Sequence, residues 1–264
     1  MNTRIRNAVP PSVKSRLRHF QAAGPSGLLM DAWNDVVLRT LQRDVIRAAR
    51  GSHTVEECFD AAQHHFPGGV GQIPAEIGRF LTYATQFEPQ TALEIGSATS
   101  GNSFLLVQTL KSIESLICID RHVRNRRRLR EASRHVELCF INGSSQREET
   151  IEQVSLALRG RPLDLLFIDG DHSFSGVFHD FFLYRGFMNR DGLIAFHDIV
   201  PDPRLRTGRP VLGAYAGEVP VVWNRLKEHY RTEEFVDDWS QDGLGIGVLH
   251  YDPTVSVEPL DIIR

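Results

Sequence analysis

From residue 91 onward the chain alternates short apolar runs with helical stretches, a texture that restricts it to a layered α/β fold built on a parallel sheet. The runs lie at 91–95, 116–120, 136–141, 163–168 and 193–197, and the helical stretches at 102–112, 122–134, 146–158 and 174–188. Right-handed crossovers then place helices on both faces of the sheet. A further helix over 220–230 precedes two closely spaced strands at 233–238 and 244–251, joined through the turn SQDG at 240–243. That turn is too short for a parallel crossover, so the last two strands pair antiparallel. The expected architecture is a doubly wound, Rossmann-like sheet of seven strands, five of them parallel, closed by an antiparallel C-terminal hairpin.

The chain before this region is helical. Leu28, Leu29, Trp33, Val36, Val37, Leu41, Val45 and Ile46 recur at helical spacing over 27–50. A second helix begins at the capping box formed by Thr54 and Glu57 and stops at Pro67, Gly68 and Gly69. A third starts with Pro74 in its first turn and carries Ile77, Phe80, Leu81 and Ala84 on one face. The expected organisation is an arm and helical extension over 1–88, an α/β domain over 89–252 and a tail over 253–264.

Composition narrows the functional classes. No apolar run reaches the roughly 20 residues that a bilayer requires, and the basic N-terminus lacks the apolar core of a secretory signal, so a cytoplasmic location without membrane attachment is expected. Cys58, Cys118 and Cys139 are an odd number without zinc-ligand spacing, which argues against structural zinc and a disulfide framework. A net charge of −3 gives no general attraction to phosphate backbones, and no nucleic-acid partner is expected. The one basic patch, Arg4, Arg6, Lys14, Arg16 and Arg18, reads as a solvated or oligomer-contacting arm. Self-association is expected through the N-terminal helices.

The segment TALEIGSATSGNS at 91–103 is a buried strand that ends in an acid and runs through a glycine-bearing turn into a helix. In doubly wound sheets ligands bind at the carboxyl ends of the strands. Gly96 and Gly101 let the backbone approach a ligand, and Glu94 at the end of an apolar strand requires a polar partner. The next strand ends in Asp120, where nucleotide-binding sheets hold ribose hydroxyls. A nicotinamide-binding sheet would carry G-x-G-x-x-G, but residues 96–101 read GSATSG and lack the central glycine.

These residues resemble the first two motifs of the class I methyltransferases that use S-adenosylmethionine (SAM). The resemblance implies that the turn of Gly96, Ser97, Ala98 and Gly101, with Ser103, wraps the methionine portion of SAM. It implies that Glu94 lies near the amino group, that Asp120 with Arg121 holds the ribose, and that Gly143 and Ser144 meet the adenine. Ala98 stands where the family often has glycine, and Ser144 where it often has an acid.

The strand at 163–168 delivers Asp169, Asp171 and His172 to its carboxyl end, and the strand at 193–197 delivers His197 and Asp198 to the same rim. Neighbouring strands lie about 4.8 Å apart, so these groups face one small volume. Their oxygen and imidazole donors suit a divalent cation such as Mg²⁺ or Mn²⁺. Here the chain resembles catechol-type, caffeoyl-CoA-type and macrolide-sugar O-methyltransferases. That resemblance implies a cation held by Asp169, His197 and Asp198, with Asp169 also at the cofactor, and places His172 as the catalytic base. The D-x-x-H pattern is also similar to proteins named as cephalosporin hydroxylases, which implies an alternative role as a partner component of a tailoring complex. A metal-independent N-methyltransferase is the other alternative. The implied acceptor is a small hydroxylated molecule: a sugar, a polyketide or a related natural product. Residues 200–217 form a long loop whose Arg204, Arg206, Arg209 and Tyr215 are placed to contact it, while Gln72 in the helical extension closes the other side.

Overall fold

The computed structural model describes residues 54–208 and 215–257 throughout, together with Leu29, Ala32, Trp33, Val36 and 45–51 of the N-terminal region. The basic arm, Arg209 and most of the expected tail lie outside the described residues. Residues 45–51 are helical, as are Leu29, Ala32, Trp33 and Val36.

Two helices, α1 (Val55–His65) and α2 (Pro74–Ala84), precede the sheet. The capping box holds: the amide of Glu57 donates to Thr54 Oγ1 at 3.2 Å, and the amide of Thr54 to Glu57 Oε2 at 3.0 Å. There follow β1 (Thr91–Ile95), α3 (Gly101–Thr109), β2 (Ser115–Asp120), α4 (Arg126–Ala132), β3 (Glu137–Asn142), α5 (Glu148–Leu158), β4 (Leu163–Ile168), α6 (Phe174–Tyr184) and β5 (Met188–His197). The chain ends through α7 (Pro203–Thr207), α8 (Val219–Leu226), β6 (Thr232–Phe235) and β7 (Ile246–His250).

These seven strands form one sheet in the order β3-β2-β1-β4-β5-β7-β6. The first five are parallel, and β7 is antiparallel to both β5 and β6. The doubly wound fold with its closing hairpin is thus as expected. Order reverses between β1 and β4, which start connections to opposite sides, and their pairing of Ile95 with Ile168 brings Gly96 and Asp169 together just beyond. β4 and β5 pair through Ile168 and Phe196, which aligns Asp169 with His197.

Side chains alternate between two apolar layers. Leu93, Leu166, Ile168 and Ile194 pack towards α5, α6 and α8, whereas Ala92, Leu165, Phe167 and Ala195 pack towards α1, α2 and α3. Phe80 of α2 lies 5.7 Å from Phe167, and Phe66 lies 4.9 Å from Phe104, ring centre to ring centre. The helical extension therefore shares the core of the sheet. Truncating a buried phenylalanine of this kind costs about 3–5 kcal/mol.

The structure differs from these expectations at several elements. β5 begins at Met188 rather than 193, because 189–191 are exposed and carry no apolar signal. α4 is confined to 126–132, since Asn125 takes a left-handed φ of 54° that interrupts a helix. The loop after β5 contains α7, capped by Asp202 Oδ1, which accepts the amide of Leu205 at 3.0 Å. No helix among the described residues is long and apolar enough to cross a membrane.

Candidate active site

The carboxyl ends of β1, β2, β3 and β4 open onto a cavity of about 560 Å³ lined by Gly96, Ala98, Asp120, Arg121, Gly143 and Ser144, with Asp169, Asp171, His172 and Tyr215 across it. This is within the roughly 300–1,000 Å³ of small-molecule sites. Gly96 has φ 92°, and a Cβ there would stand 1.7 Å from the carbonyl oxygen of Asp169. Only glycine lets the β1 and β4 turns pass this closely.

Asp120 braces the turn opposite. Its Oδ2 accepts the amide of Ala98 at 3.0 Å and its Oδ1 the amide of His122 at 2.7 Å, so the carboxylate joins the β1 and β2 loops at the cavity wall. Glu94, Ser97, Gly101 and Ser103 do not line the cavity, and neither do His197 and Asp198, which are buried behind Asp169 and His172. Glu94 is buried behind the turn, where Asn102 Nδ2 donates to its Oε1 at 2.8 Å and the hydroxyl of Ser103 donates to its Oε2. Burial pushes its pKa up to about 7, against the hydrogen bonds from Ser103, Asn102 and Ser97. The second glycine of the turn serves a different neighbour: a Cβ on Gly101 would stand 2.3 Å from the carbonyl of Gly69, so this residue seats the helical extension.

At the other end of the cavity the two acid-bearing strand ends converge. Asp169, His172 and Asp198 each offer an atom within 4.8 Å of the others. His172 Nδ1 lies 2.5 Å from the carbonyl oxygen of Tyr215, and the Tyr215 ring stacks over the imidazole with centroids 6.2 Å apart. That contact requires a proton on Nδ1 and leaves Nε2 directed at Asp169 Oδ1, 3.4 Å away. Glu218 fixes the adjoining backbone, its amide donating to the His172 carbonyl at 2.7 Å and its Oε2 accepting the amide of Phe174 at 2.9 Å.

The sequence grouped His197 with the two aspartates, whereas the three-donor set in the structure contains His172. His197 is only 4% exposed, and its Nδ1 reaches Asp169 Oδ1 at 3.3 Å and Asp198 Oδ2 at 3.2 Å, so it props both carboxylates. Its Nε2 is buried without a hydrogen-bond partner, as is Gln72 Oε1. Gln72 Nε2 donates to Asp169 Oδ2 at 3.1 Å, which brings the helical extension to the site. Asp198 adopts φ 66°, a costly conformation for a residue with a side chain.

Electrostatics bind the cluster together. Burial would discharge His172, but the hydrogen bond to Asp169, the charge of Asp198 and the Tyr215 carbonyl outweigh it and lift its pKa to about 9. Burial likewise opposes charge on His197, and Asp169 and Asp198 raise it to about 10. Asp169 is held well below the usual carboxylate range: burial favours its neutral form, but His197 and His172 prevail.

Two buried acids escaped the sequence reading. Glu76 of α2 is fully buried against the β6–β7 connection. Asp180 of α6 is fully buried, and neither of its oxygens has a hydrogen-bond partner. Burial raises its pKa to about 7, countered in part by Ser145. An acid set among Phe178, Phe181 and Phe182 was the available signal.

Residues 93–199 match the family model described as a methyltransferase domain. A curated relative, an uncharacterized protein of Acanthamoeba polyphaga mimivirus, is 34% identical over 119 residues, covering 41% of this chain and 51% of its own length. The chain thus spans about half the length of the curated relative it matches. Among solved structures, an O-methyltransferase from Bacillus cereus in complex with SAH superposes with a TM-score of 0.53 at 13% identity, covering 75% of this chain and 90% of that one. TomG, an O-methyltransferase of tomaymycin synthesis from Streptomyces achromogenes in complex with SAM, gives 0.51 at 15% identity over 76% and 91%. MycE, from the mycinamycin biosynthetic pathway in complex with Mg, SAH and mycinamycin VI, gives 0.51 at 13% identity over 76% and 55%. These likenesses establish the fold.

Proposed function

We propose that this chain, whose residues 93–199 match the methyltransferase-domain model, transfers a methyl group from SAM to a hydroxyl of a small molecule, assisted by a divalent cation. The observation that carries this reading is the meeting of Asp169, His172 and the buried Asp198, the first two of which line a cavity whose other walls are Gly96, Asp120 and Gly143.

The residues present suit SAM. The Gly96 turn leaves room for a ligand against bare backbone, Asp120 and Arg121 offer acceptor and donor groups for hydroxyls, and Gly143 and Ser144 line the far wall. Glu94 acts from behind, ordering the turn through Asn102 and Ser103. When bound, SAM supplies an electrophilic methyl group on a sulfonium.

The donor set also suits a hard divalent cation, since two carboxylates and an imidazole converge. Asp169 and Asp198 would hold it, and a bound cation makes a nearby hydroxyl more acidic. His197 steadies both carboxylates, Gln72 the outer oxygen of Asp169. A cation on Asp169 and Asp198 would offset the negative charge that keeps His172 protonated, and the neutral imidazole would then take the hydroxyl proton on Nε2, because its Nδ1 is committed to the Tyr215 carbonyl. With SAM bound, the hydroxyl oxygen, freed of its proton, would bond to the methyl carbon as the bond from that carbon to sulfur breaks, the electron pair leaving with S-adenosylhomocysteine. Much of the acceleration comes from holding the two reactants in line.

Tyr215 lines the cavity on the side of His172, its hydroxyl accepting a 2.8 Å hydrogen bond from Arg204, and would meet the acceptor. A sugar, polyketide or related natural product fits this reading, which the mycinamycin VI in the MycE complex supports. Leu29 and Trp33, 72% and 65% exposed, support self-association through the N-terminal helix, which a solution mass measurement tests.

The test is methyl transfer to a panel of hydroxylated compounds, with EDTA and with added Mg²⁺. Activity lost to EDTA and restored by Mg²⁺ is expected. Transfer indifferent to EDTA favours a second reading, methylation without a cation, which has its own support: His172 and His197, both held in the charged form, already balance the two aspartates. Binding of SAM without transfer to any compound favours the partner-component role.

A further inference from the structure

We propose that Glu76 is a positioning residue of the candidate cation site: its buried carboxylate holds the connection between β6 and β7 against Asp198, and thereby sets the separation of Asp198 from Asp169. The inference rests on the reading of those two aspartates as cation ligands.

Glu76 lies in the first turn of α2 and is fully buried. Its Oε1 accepts the amide of Asp237 at 3.0 Å and the side-chain amide of Gln241 at 2.7 Å, and its Oε2 accepts the amide of Gly245 at 2.9 Å. One carboxylate thus gathers both ends of the segment between β6 and β7. A neutral amide in its place offers a single acceptor oxygen to three donors.

The gathered segment touches the site directly. The residue before Gly245 is Leu244, whose amide donates to Asp198 Oδ1 at 2.9 Å. That bond occupies one oxygen of Asp198 and leaves Oδ2 on the side of His172 and His197. The carbonyls of Leu244 and Gly245 accept the amides of Val200 and Ile199, so 198–200 and 244–245 prolong the pairing of β5 with β7. Asp198, Leu244 and Gly245 take φ values of 66°, 64° and 81°. Left-handed backbone at two residues bearing side chains persists only where its surroundings impose it, and Glu76 supplies that constraint.

The same stretch of chain reaches the other aspartate, since Gln72 donates to Asp169 Oδ2 four residues before Glu76. The start of α2 therefore grips both strand ends that carry the ligands. From the opposite side Arg206 of α7 holds the connection through Ser240, Gln241 and Asp242. Without Glu76 the connection remains attached there but loses its register on Asp198.

The test compares the full-length chain with Glu76→Ala and, as a control, Gln241→Leu, which removes a donor from the same carboxylate but spares Gly245. Mn²⁺ binding is followed by electron paramagnetic resonance, and exchange of the Leu244 amide by NMR. Glu76→Ala is expected to weaken Mn²⁺ binding by about 10- to 100-fold, the usual effect of losing a group that orients a ligand, and to speed Leu244 exchange. SAH affinity and the control should stay within about twofold of wild type on the same scale. If Glu76→Ala does not fold, Glu76→Gln keeps the shape and is read in the same way. Unchanged Leu244 exchange overturns the proposal, and so does faster exchange with unaltered Mn²⁺ affinity. A wild-type chain that takes up no Mn²⁺ removes the cation reading alone, and Leu244 exchange then decides the link from Glu76 to Asp198.

Discussion

His172 Nδ1 sits 2.5 Å from the carbonyl oxygen of Tyr215, so the ring turns Nε2 towards Asp169 and the cavity. A histidine held in one tautomer by backbone has a single nitrogen available for proton transfer. His172→Gln is therefore expected to lower turnover by about 10²- to 10⁴-fold, the usual contribution of a general base. SAH binding, measured by calorimetry, should change little. Equal losses in both would assign His172 to cofactor binding instead.

Asp198 is tied to Leu244, His197 and His172, and it is one of two carboxylates offered to a cation. Asp198→Asn removes a negative charge while keeping the shape. Stimulation by Mg²⁺ should disappear in a titration of activity against the cation, with a turnover loss of about 10²-fold or more. A variant that retains its Mg²⁺ response would place the ion elsewhere.

Gly96 has no space for a side chain, its Cβ falling 1.7 Å from the Asp169 carbonyl oxygen at φ 92°. Gly96→Ala must push the β1 turn away from β4. Stability should fall by about 2 kcal/mol or more, as strained and overpacked substitutions do, and SAH binding should be lost. Thermal melting and calorimetry check both.

Glu94 and Asp180 have pKa values near 7 in the folded chain, raised by burial from 4.5 and 3.8. The folded state thus binds protons more tightly than the unfolded one. Each group's favourable contribution is complete below its unfolded value and declines as pH rises to about 7, above which it is gone. Melting of the ligand-free chain should show stability falling between about pH 4 and pH 7, by a few kcal/mol for each group. Glu94→Gln and Asp180→Asn should each flatten that slope, and a slope unaltered by both would contradict the burial argument.

The sheet was legible because strands buried on both faces read as unbroken apolar runs, and because the final turn permits only an antiparallel pair. The start of β5 was not, since Asn189, Arg190 and Asp191 face solvent and look like loop. Asp169, His172 and Asp198 stood out as polar residues ending apolar strands. The place of His197 did not, because whether a strand-end histidine faces a ligand or props its neighbouring carboxylates is set by packing. Glu76 resembles any acid near a helix start, and its partners lie 161 to 169 positions away. Asp180 likewise becomes unusual only once α6 is laid against the sheet.

The central claim is that a cation binds between Asp169 and Asp198 beside a SAM-shaped ligand. Anomalous diffraction from crystals grown with Mn²⁺ and SAH tests it most directly. One strong Mn²⁺ peak bonded to both carboxylates is expected, with SAH running from the Gly96 turn past Asp120. A peak elsewhere, or SAH in the cavity with no peak at these aspartates, would contradict it.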